Sequence, residues 1–310
     1  MTRRTGLGAP HILIAFLIVS LIWSSTWIVI KDQLGIVPPV WSVSYRFLIA
    51  SAAMFLAARL SGIGIALGSG GHRLALALGI AQFVLNYNFV YAAELHITSG
   101  LVAVVFALLM VPNALFDRLF FGQRASKGFL AGSAVAIAGV ALLFVQEFRQ
   151  GGTAPAATLT GLGFSMIGLL AASASNVMQL AEGMKKRPVT AMLAWAMLYG
   201  ALIDMVYALA TEGPPVIEAR IGYWLGLFYL GLVGSSIAFL LYFRLIRDIG
   251  PGKAAYSGVL VPVLAMAIST VVEGYRWSTL ALAGGALALA GMVIALRAGR
   301  PEPVVSPTPR

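Results

Sequence analysis

Ten long apolar runs constrain this chain most strongly, because each is long enough to cross a lipid bilayer as a helix. A hydrocarbon core of about 30 Å needs roughly 20 apolar residues of helix. The runs lie near residues 11–30, 40–60, 74–93, 97–116, 126–145, 159–181, 189–210, 221–243, 254–272 and 277–297. Together they use about 200 residues, which leaves short connections and no room for a soluble catalytic domain.

The composition agrees with an α-helical membrane protein. Only 10% of the residues are charged and the mean hydropathy is +0.91, whereas soluble domains carry about a quarter charged residues. A membrane-spanning β-barrel would show runs of about ten alternating residues, which is not the pattern here. We therefore predict an all-α membrane protein whose first span is retained, since a signal-peptide cleavage pattern is missing.

The basic residues are distributed unevenly between the two ends of the predicted spans. One end carries Lys31, Arg149, Arg220 and Arg276. The other carries Arg3, Arg4, Arg59, Arg73, Arg118, Arg124, Lys127, Lys185, Lys186, Arg187, Arg244, Arg247, Lys253, Arg297, Arg300 and Arg310. Because basic loops favour the cytoplasm, we expect both termini to be cytoplasmic. The net charge of +10 then reflects topology, and no nucleic-acid partner is expected.

The two halves of the chain align at an offset of about 150 residues. The matching features are Pro112 with Pro262, Tyr91 with Tyr242, and the glycine pair 132 and 139 with the pair 284 and 291. We predict two five-span repeats, 1–150 and 151–300, followed by a disordered cytoplasmic tail at 301–310. Since five is odd, the second repeat must have inverted topology, as in many secondary transporters whose substrate site lies between the repeats.

The stretch IWSSTWIVIK, residues 22–31, places three consecutive hydroxyls inside an apolar span. At the same offset, Ser24, Ser25 and Thr26 align with Ala174, Ser175 and Asn176. Each hydroxyl could simply bond back to a carbonyl of its own helix. We expect this small polar side to border a transport pathway, and at least one of Trp23 and Trp27 to pack on a neighbouring helix or wall the cavity.

These residues resemble a known family. IWSSTWIVIK, the RFLIA that begins at Arg46, the spacing from Tyr91 to Pro112 and the glycine-spaced fifth and tenth spans are similar to the EamA-type branch of the drug/metabolite transporter superfamily. Family members often have Gly-Glu after the fourth span, where this chain has Gly122 and Gln123. Within the family, the chain is most similar to the YddG-like exporters of aromatic amino acids. The resemblance implies an inner-membrane exporter with a central cavity formed by spans one to four and six to nine.

Arg46 lies about six residues inside the second span, where a charge is costly. Three interpretations stay open for it: an ion pair with Asp204, which lies at a similar predicted depth, snorkelling to the interface, or contact with a substrate carboxylate. Asp204 is almost the only acid inside the predicted spans, so it is also the candidate proton site. Proton coupling, exchange and facilitated diffusion therefore remain alternatives.

Aromatic and amide side chains supply the other candidates for substrate contact. Tyr87, Asn88 and Tyr91 share a face of the third span, and Trp195 and Tyr199 form a stripe on the seventh, although such stripes are also typical of packing and of aromatic belts. The predicted substrate-binding residues are Ser24, Ser25, Trp27, Tyr45, Arg46, Tyr87, Asn88, Tyr91, Ser175, Asn176, Trp195 and Tyr199.

Prolines and glycines predict bends and helix contacts. Pro112 and Pro262 are candidate gating hinges, although a static bend explains them equally well. The glycine faces of spans five and ten predict helix packing within the chain, with a monomer expected and a dimer left open. No cofactor or metal is expected, since the chain has no cysteine and its three histidines are far apart.

The function that these patterns favour is secondary transport of amino acids, aromatic or other neutral, or of related metabolites by alternating access. The partners expected are a small-molecule substrate and membrane lipids, in a bacterial inner membrane. A multidrug or nucleotide-sugar-like carrier of the same fold is the alternative. An intramembrane enzyme is disfavoured because no two acids share a span and no histidine cluster appears, and a channel is disfavoured because no filter-like loop is visible.

Overall fold

The computed structural model describes residues 10–122, 125–150, 155–249, 254 and 257–298. Every regular element within these ranges is a helix, and the predicted tail at 301–310 lies outside them. A short helix, Glu182–Lys185, connects the sixth long helix to the seventh. The long helices are α1 (Pro10–Gln33), α2 (Pro39–Leu60), α3 (Gly68–Glu94), α4 (Ser99–Phe121), α5 (Lys127–Gln150), α6 (Pro155–Met178), α7 (Val189–Thr211), α8 (Ile221–Phe228, Tyr229–Ile237 and Ala238–Ile249 in series), α9 (Ser257–Val272) and α10 (Thr279–Arg297).

The predicted all-helical membrane architecture is confirmed. Within the described ranges, the eight helices α1 to α8 are long and apolar enough to cross a membrane. Helices α9 and α10 contain the shorter apolar stretches Leu260–Val272 and Thr279–Ala295.

Two helices extend further than the apolar runs predicted. Helix α3 includes Glu94 and helix α4 includes Asp117, and both side chains are buried. The expectation that Asp204 is almost the only acid inside the spans is therefore wrong. It failed because a run of apolar residues ends at the first acid, whereas a helix surrounded by other helices continues past it.

Contacts between the helices repeat across the two halves of the chain. Helix α1 packs on α9 and α8, and correspondingly α6 packs on α4 and α3. Helix α3 packs on α7 as α8 packs on α2, while α2 pairs with α7 and α5 pairs with α10. Each of these contacts between two helices therefore has a matching contact between their counterparts in the other half of the chain, where α1 corresponds to α6, α2 to α7 and so on.

Helices α3 and α8 each contain a π-helical segment, Gly79–Asn86 and Tyr229–Ile237. The segments begin 150 residues apart, which is the offset found between the halves of the sequence. A π-helix bonds residue i to i+5 and is rare, occurring frequently at functional sites. Because it adds a residue to each turn, it rotates the side chains that follow relative to an α-helical extrapolation.

Helix α4 is interrupted between Ala107 and Met110. Pro112 accounts for the break, because proline lacks an N–H and its ring clashes with the carbonyl four residues earlier, that of Leu108. The Val111 amide instead donates to the Leu108 carbonyl at 2.8 Å, which closes a tighter turn. Pro262, by contrast, lies inside the continuous helix α9. A hinge function for either proline stays a prediction.

Glycines bring the backbones of α5 and α10 into direct contact. A Cβ atom added at Gly291 would lie 2.2 Å from the Ala136 amide nitrogen, and one at Gly139 would lie 2.3 Å from the Ala288 amide nitrogen. Such distances are shorter than any van der Waals contact, so only glycine fits at either position. The glycine faces of these two helices therefore pack within the chain.

Replacing Gly291 with alanine is expected to destabilise the protein by about 1–3 kcal/mol, which is typical of overpacking. Gly285→Ala on the same helix is the matched control, since its Cβ would lie 3.8 Å from the Trp277 ring. Thermal unfolding of the purified proteins in detergent compares the two. Equal midpoints for the two variants would contradict this packing.

Candidate functional site

Among the described residues, six helices line a central cavity of about 110 Å³: α1, α3, α4, α6, α8 and α9. Helices α2 and α7, which the resemblance to the family places around the cavity, contribute no lining residue and pack behind α8 and α3. The cavity walls are largely aromatic, being formed by Trp23, Trp27, Tyr87, Phe106, Phe239 and Tyr242.

Amide side chains line one side of this cavity. Ser175 donates a hydrogen bond to Gln82 Oε1, and Gln82 Nε2 donates to Asn86 Oδ1 at 3.1 Å. Asn86 Nδ2 donates to the Gly168 carbonyl at 2.9 Å, which ties α3 to α6. Asn176 also lines the cavity. These bonds fix the orientation of the amides, so the polar side of the cavity is preorganised.

Gln82 and Asn86 were missed by the sequence analysis, which placed Asn88 on the cavity face. Both residues lie in the π-helical segment of α3, whose wider turn changes which residues share a face. The signal that was available is the pair of amides four residues apart in an apolar span. Asn88 instead donates from Nδ2 to the Val84 carbonyl and to Asp204, at 2.9 and 2.8 Å.

The three consecutive hydroxyls of α1 have different surroundings. Thr26 lines the cavity, as does its counterpart Asn176 in the second half. Ser24 is buried and donates to the Ser20 carbonyl at 2.5 Å, while Ser25 donates to the Ile22 carbonyl and shares a 2.6 Å hydrogen bond with the Tyr229 hydroxyl. Neither serine is part of the cavity lining.

The tryptophans on either side of these hydroxyls both wall the cavity. Trp23 packs edge-on against Tyr242 and Phe239, and its Nε1 donates to the Gly234 carbonyl at 3.3 Å. Trp27 packs against Phe106. Its buried Nε1 has no hydrogen-bond partner among the described residues. The face of α1 that borders the cavity is thus aromatic with a single hydroxyl.

Arg46 is fully buried directly behind the cavity wall. Its Nε donates to Ser235 Oγ at 2.9 Å and its Nη2 to the Tyr87 hydroxyl at 3.4 Å. The guanidinium carbon also lies 4.4 Å from the centre of the Tyr87 ring, which is within cation–π range. Since Tyr87 lines the cavity, one aromatic ring separates this cation from the cavity.

The possible ion pair between Arg46 and Asp204 is absent from the described part of the chain. Each of the two charged side chains instead forms a hydrogen bond with one of two adjacent residues of α3. Tyr87 accepts from Arg46, and Asn88 donates to Asp204 Oδ1. Asp204 is fully buried. A similar predicted depth therefore did not bring the two side chains together, because α3 offers each of them a nearer partner.

Three predicted site residues lie in clusters outside the cavity lining. The Tyr45 hydroxyl donates to the Val216 carbonyl at 3.1 Å, and its ring stacks with Trp41 and Trp224. Trp195 Nε1 donates to the Ile65 carbonyl at 2.9 Å, while the Tyr199 hydroxyl lies 2.7 Å from His72 Nδ1. The structure thus does not bring Tyr45, Trp195 and Tyr199 together with the other candidates.

Charged side chains tie several helix ends together at one end of the bundle. Lys31 Nζ donates to the Glu94 and Ile97 carbonyls, which caps the C-terminus of α3. Ser99, at the start of α4, donates from its amide and its hydroxyl to the Glu273 carboxylate. Arg220 forms a 2.8 Å ion pair with Asp32, which raises the pKa of this exposed guanidinium. These contacts link the ends of α1, α3, α4, α8 and α9.

Comparison with known proteins identifies the family to which this bundle corresponds. The family model described as the EamA-like transporter family matches twice, at residues 11–145 and 159–297. The two matches correspond to the two halves inferred from the sequence. A solved crystal structure aligns with a TM-score of 0.69 and covers 91% of this chain and 95% of that chain. Its sequence identity is 21%, so the likeness concerns the fold.

Several curated proteins are similar along most of the chain. One is the uncharacterized inner membrane transporter YedA of Escherichia coli K12, 28% identical over 93% of this chain and 92% of that protein. A probable amino-acid metabolite efflux pump of Salmonella typhimurium is 25% identical over 95% of each chain. A probable terminal-alkyne amino-acid exporter of Streptantibioticus cattleyicolor is 28% identical over 71% of this chain and 70% of that protein.

Proposed function

We propose that this chain, which belongs to the EamA-like transporter family, exports neutral amino acids or closely related metabolites across the inner membrane by alternating access. In this proposal ten helices span the membrane as two five-helix repeats of inverted topology, with both termini in the cytoplasm. The two repeats have opposite orientations in the membrane because each contains an odd number of spans.

Three observations support this topology. The family model matches each half of the chain separately. The π-helical segments of α3 and α8 begin 150 residues apart. The basic residues are concentrated at one end of the predicted spans, and by the positive-inside rule this favours a cytoplasmic location for that end.

The proposed function is based mainly on the central cavity. It lies between helices of both repeats, where transporters built from inverted repeats bind their substrates. Aromatic walls suit an apolar or aromatic side chain, which can stack on them. The amides of Gln82, Asn86 and Asn176 offer donors and acceptors on one side. An amino acid has this combination of an apolar part and a polar head.

The lining of the cavity bears on the main alternatives. Phosphate groups are typically bound by arginine or lysine side chains, and the described lining of this cavity contains neither. The lining therefore favours a neutral metabolite over a nucleotide sugar. The names of the Salmonella and Streptantibioticus relatives, an efflux pump and an exporter of amino-acid compounds, support the same substrate class. We also propose that the carrier acts as a monomer without a cofactor or nucleic-acid partner.

Counterflow in proteoliposomes tests this function. Vesicles that contain the purified protein are loaded with one unlabelled amino acid, and the entry of the same radiolabelled amino acid is followed. A carrier gives transient accumulation that saturates with substrate, and empty vesicles give none. The proposal fails if no member of a panel of aromatic and other neutral amino acids exchanges, or if flux rises linearly with concentration as in a channel.

A further inference from the structure

Three fully buried side chains behind the cavity wall, Arg46, Tyr91 and Glu94, carry polar atoms without partners. Arg46 Nη1, the Tyr91 hydroxyl and both carboxylate oxygens of Glu94 make no hydrogen bond of normal geometry within the described residues. The Tyr91 hydroxyl lies close enough to the Arg46 guanidinium for a weak hydrogen bond outside normal geometry, and it is within electrostatic range of Glu94. We refer to these three residues as the Arg46 cluster.

Two members of the cluster, Tyr91 and Glu94, share a face of α3 with Tyr87. The three residues are separated by four and three positions, so their side chains lie one above another on an α-helix. Tyr87 borders the cavity, and Glu94 is the last residue of the helix. The cluster therefore begins where the cavity ends and continues toward one end of the bundle.

The charged groups around Glu94 leave its carboxylate without a hydrogen bond. Lys31 on α1, Arg46 on α2 and Glu273 beyond the end of α9 are the charges within electrostatic range. The Lys31 ammonium donates to the Glu94 and Ile97 carbonyls, and the Glu273 carboxylate accepts from Ser99. Helix α6 and the segment Ser99–Ala107, which also pack on this part of α3, contain no titratable residue.

Unpartnered buried groups of this kind are rare in folded proteins, because burying a polar group without a hydrogen bond is costly. Here a donor, a hydroxyl and two acceptors occur in one cluster. The carboxylate of an amino acid accepts hydrogen bonds from a guanidinium and a hydroxyl, and its ammonium donates to a carboxylate. One zwitterionic head group therefore complements all three side chains.

We propose that Arg46, Tyr91 and Glu94 form a subsite for the head group of an α-amino acid, with Glu94 accepting hydrogen bonds from the substrate ammonium. Arg46 Nη1 and the Tyr91 hydroxyl donate to the substrate carboxylate. The inference rests on the proposed function and deepens it, since it requires substrates with both charged groups free. In this proposal Glu94 determines the specificity for a free ammonium group. The apolar run predicted as the third span, 74–93, ends one residue before it.

Tyr87 connects the subsite to the cavity. Its ring lines the cavity, while its hydroxyl accepts a hydrogen bond from Arg46. Because Arg46, Tyr91 and Glu94 do not themselves line the cavity, the proposed subsite requires the Tyr87 side chain to move aside, while the apolar side chain of the substrate stays among the aromatic walls.

Competition against counterflow in the unmutated protein tests the subsite first. The competitors are the exchanged amino acid itself, its N-acetyl derivative without an ammonium, and the corresponding amine without a carboxylate. Each derivative is expected to compete about tenfold or more weakly than the free amino acid, because each loses a charged hydrogen bond. Equal competition by all three would overturn the subsite while leaving the carrier function intact.

The variant Glu94→Gln then assigns the ammonium contact. It keeps the size of the side chain and removes its charge, so the free amino acid is expected to compete about tenfold or more weakly, with the N-acetyl derivative unchanged. Glu212→Gln replaces an exposed acid at the end of α7, outside the cluster, and as the matched control it should keep the discrimination of the unmutated protein.

Unchanged discrimination between the free and N-acetylated amino acid in the Glu94→Gln variant would overturn the proposal. If transport by that variant also lost its response to a pH gradient, Glu94 would instead be a proton carrier. Absence of any amino-acid exchange by the unmutated protein is a different result, because it contradicts the proposed function itself.

Discussion

Replacing Arg46 with alanine is expected to lower the initial rate of amino-acid exchange by about 100-fold or more. The guanidinium is fully buried, and it links α2 to α8 through Ser235 and to α3 through Tyr87. Truncation removes these bonds together with the donor proposed for the substrate carboxylate. Charged hydrogen bonds contribute about 1.5–3 kcal/mol each, so the loss of two is sufficient for this effect. Counterflow at matched protein content measures it.

Two further variants make the Arg46 experiment specific. Arg59→Ala removes an exposed arginine from the same helix and should leave the rate unchanged. Arg46→Lys keeps the charge and loses the fork of donors, so an intermediate rate is expected. An Arg46→Ala protein that elutes as a folded monomer in detergent and exchanges at the normal rate would rule out contact between Arg46 and substrate.

Filling the central cavity is expected to slow exchange strongly. Ala172 lies on α6, four residues before Asn176, and lines the cavity. A phenylalanine at position 172 places a benzyl group in a space of about 110 Å³, which leaves too little room for a substrate side chain. We expect the exchange rate of Ala172→Phe to fall by at least about tenfold, since overpacking of 1–3 kcal/mol would oppose substrate entry.

The same helix supplies the control for this substitution. Gly163 is exposed, and a Cβ atom added there meets no atom within 4 Å. Gly163→Phe therefore introduces the same side chain on the outer surface of α6 and should exchange at the normal rate. Normal exchange by a folded Ala172→Phe protein would show that the substrate does not pass through this cavity.

The fold could be predicted from the sequence because the bilayer imposes one simple condition on each span. A run of about 20 apolar residues must be a helix there, and the predicted runs and observed helices differ by a few residues at their ends. The twofold internal repeat was also visible, since proline and glycine restrict the backbone wherever they occur. The matches of Pro112 with Pro262 and of Gly139 with Gly291 identified it.

The site was predicted less well, because it depends on which way individual side chains face. The π-helical segment of α3 brings Gln82 and Asn86 to the cavity in place of Asn88, and no pattern in the sequence marks such a segment in advance. Glu94 was placed outside its span because an acid ends an apolar run. Ser24 and Ser25 illustrate a third case, since a helical hydroxyl can bond to its own backbone and thus needs no ligand.

The central claim, that an amino acid binds between the two repeats, is tested most directly by substrate protection of single cysteines. The chain contains no cysteine, so Asn176→Cys in the cavity and Tyr199→Cys outside it each introduce one reactive thiol. We predict that an exchanged amino acid slows thiol labelling at position 176 several-fold and leaves labelling at position 199 unchanged. Equal labelling at position 176 with and without a saturating amino acid would contradict the claim.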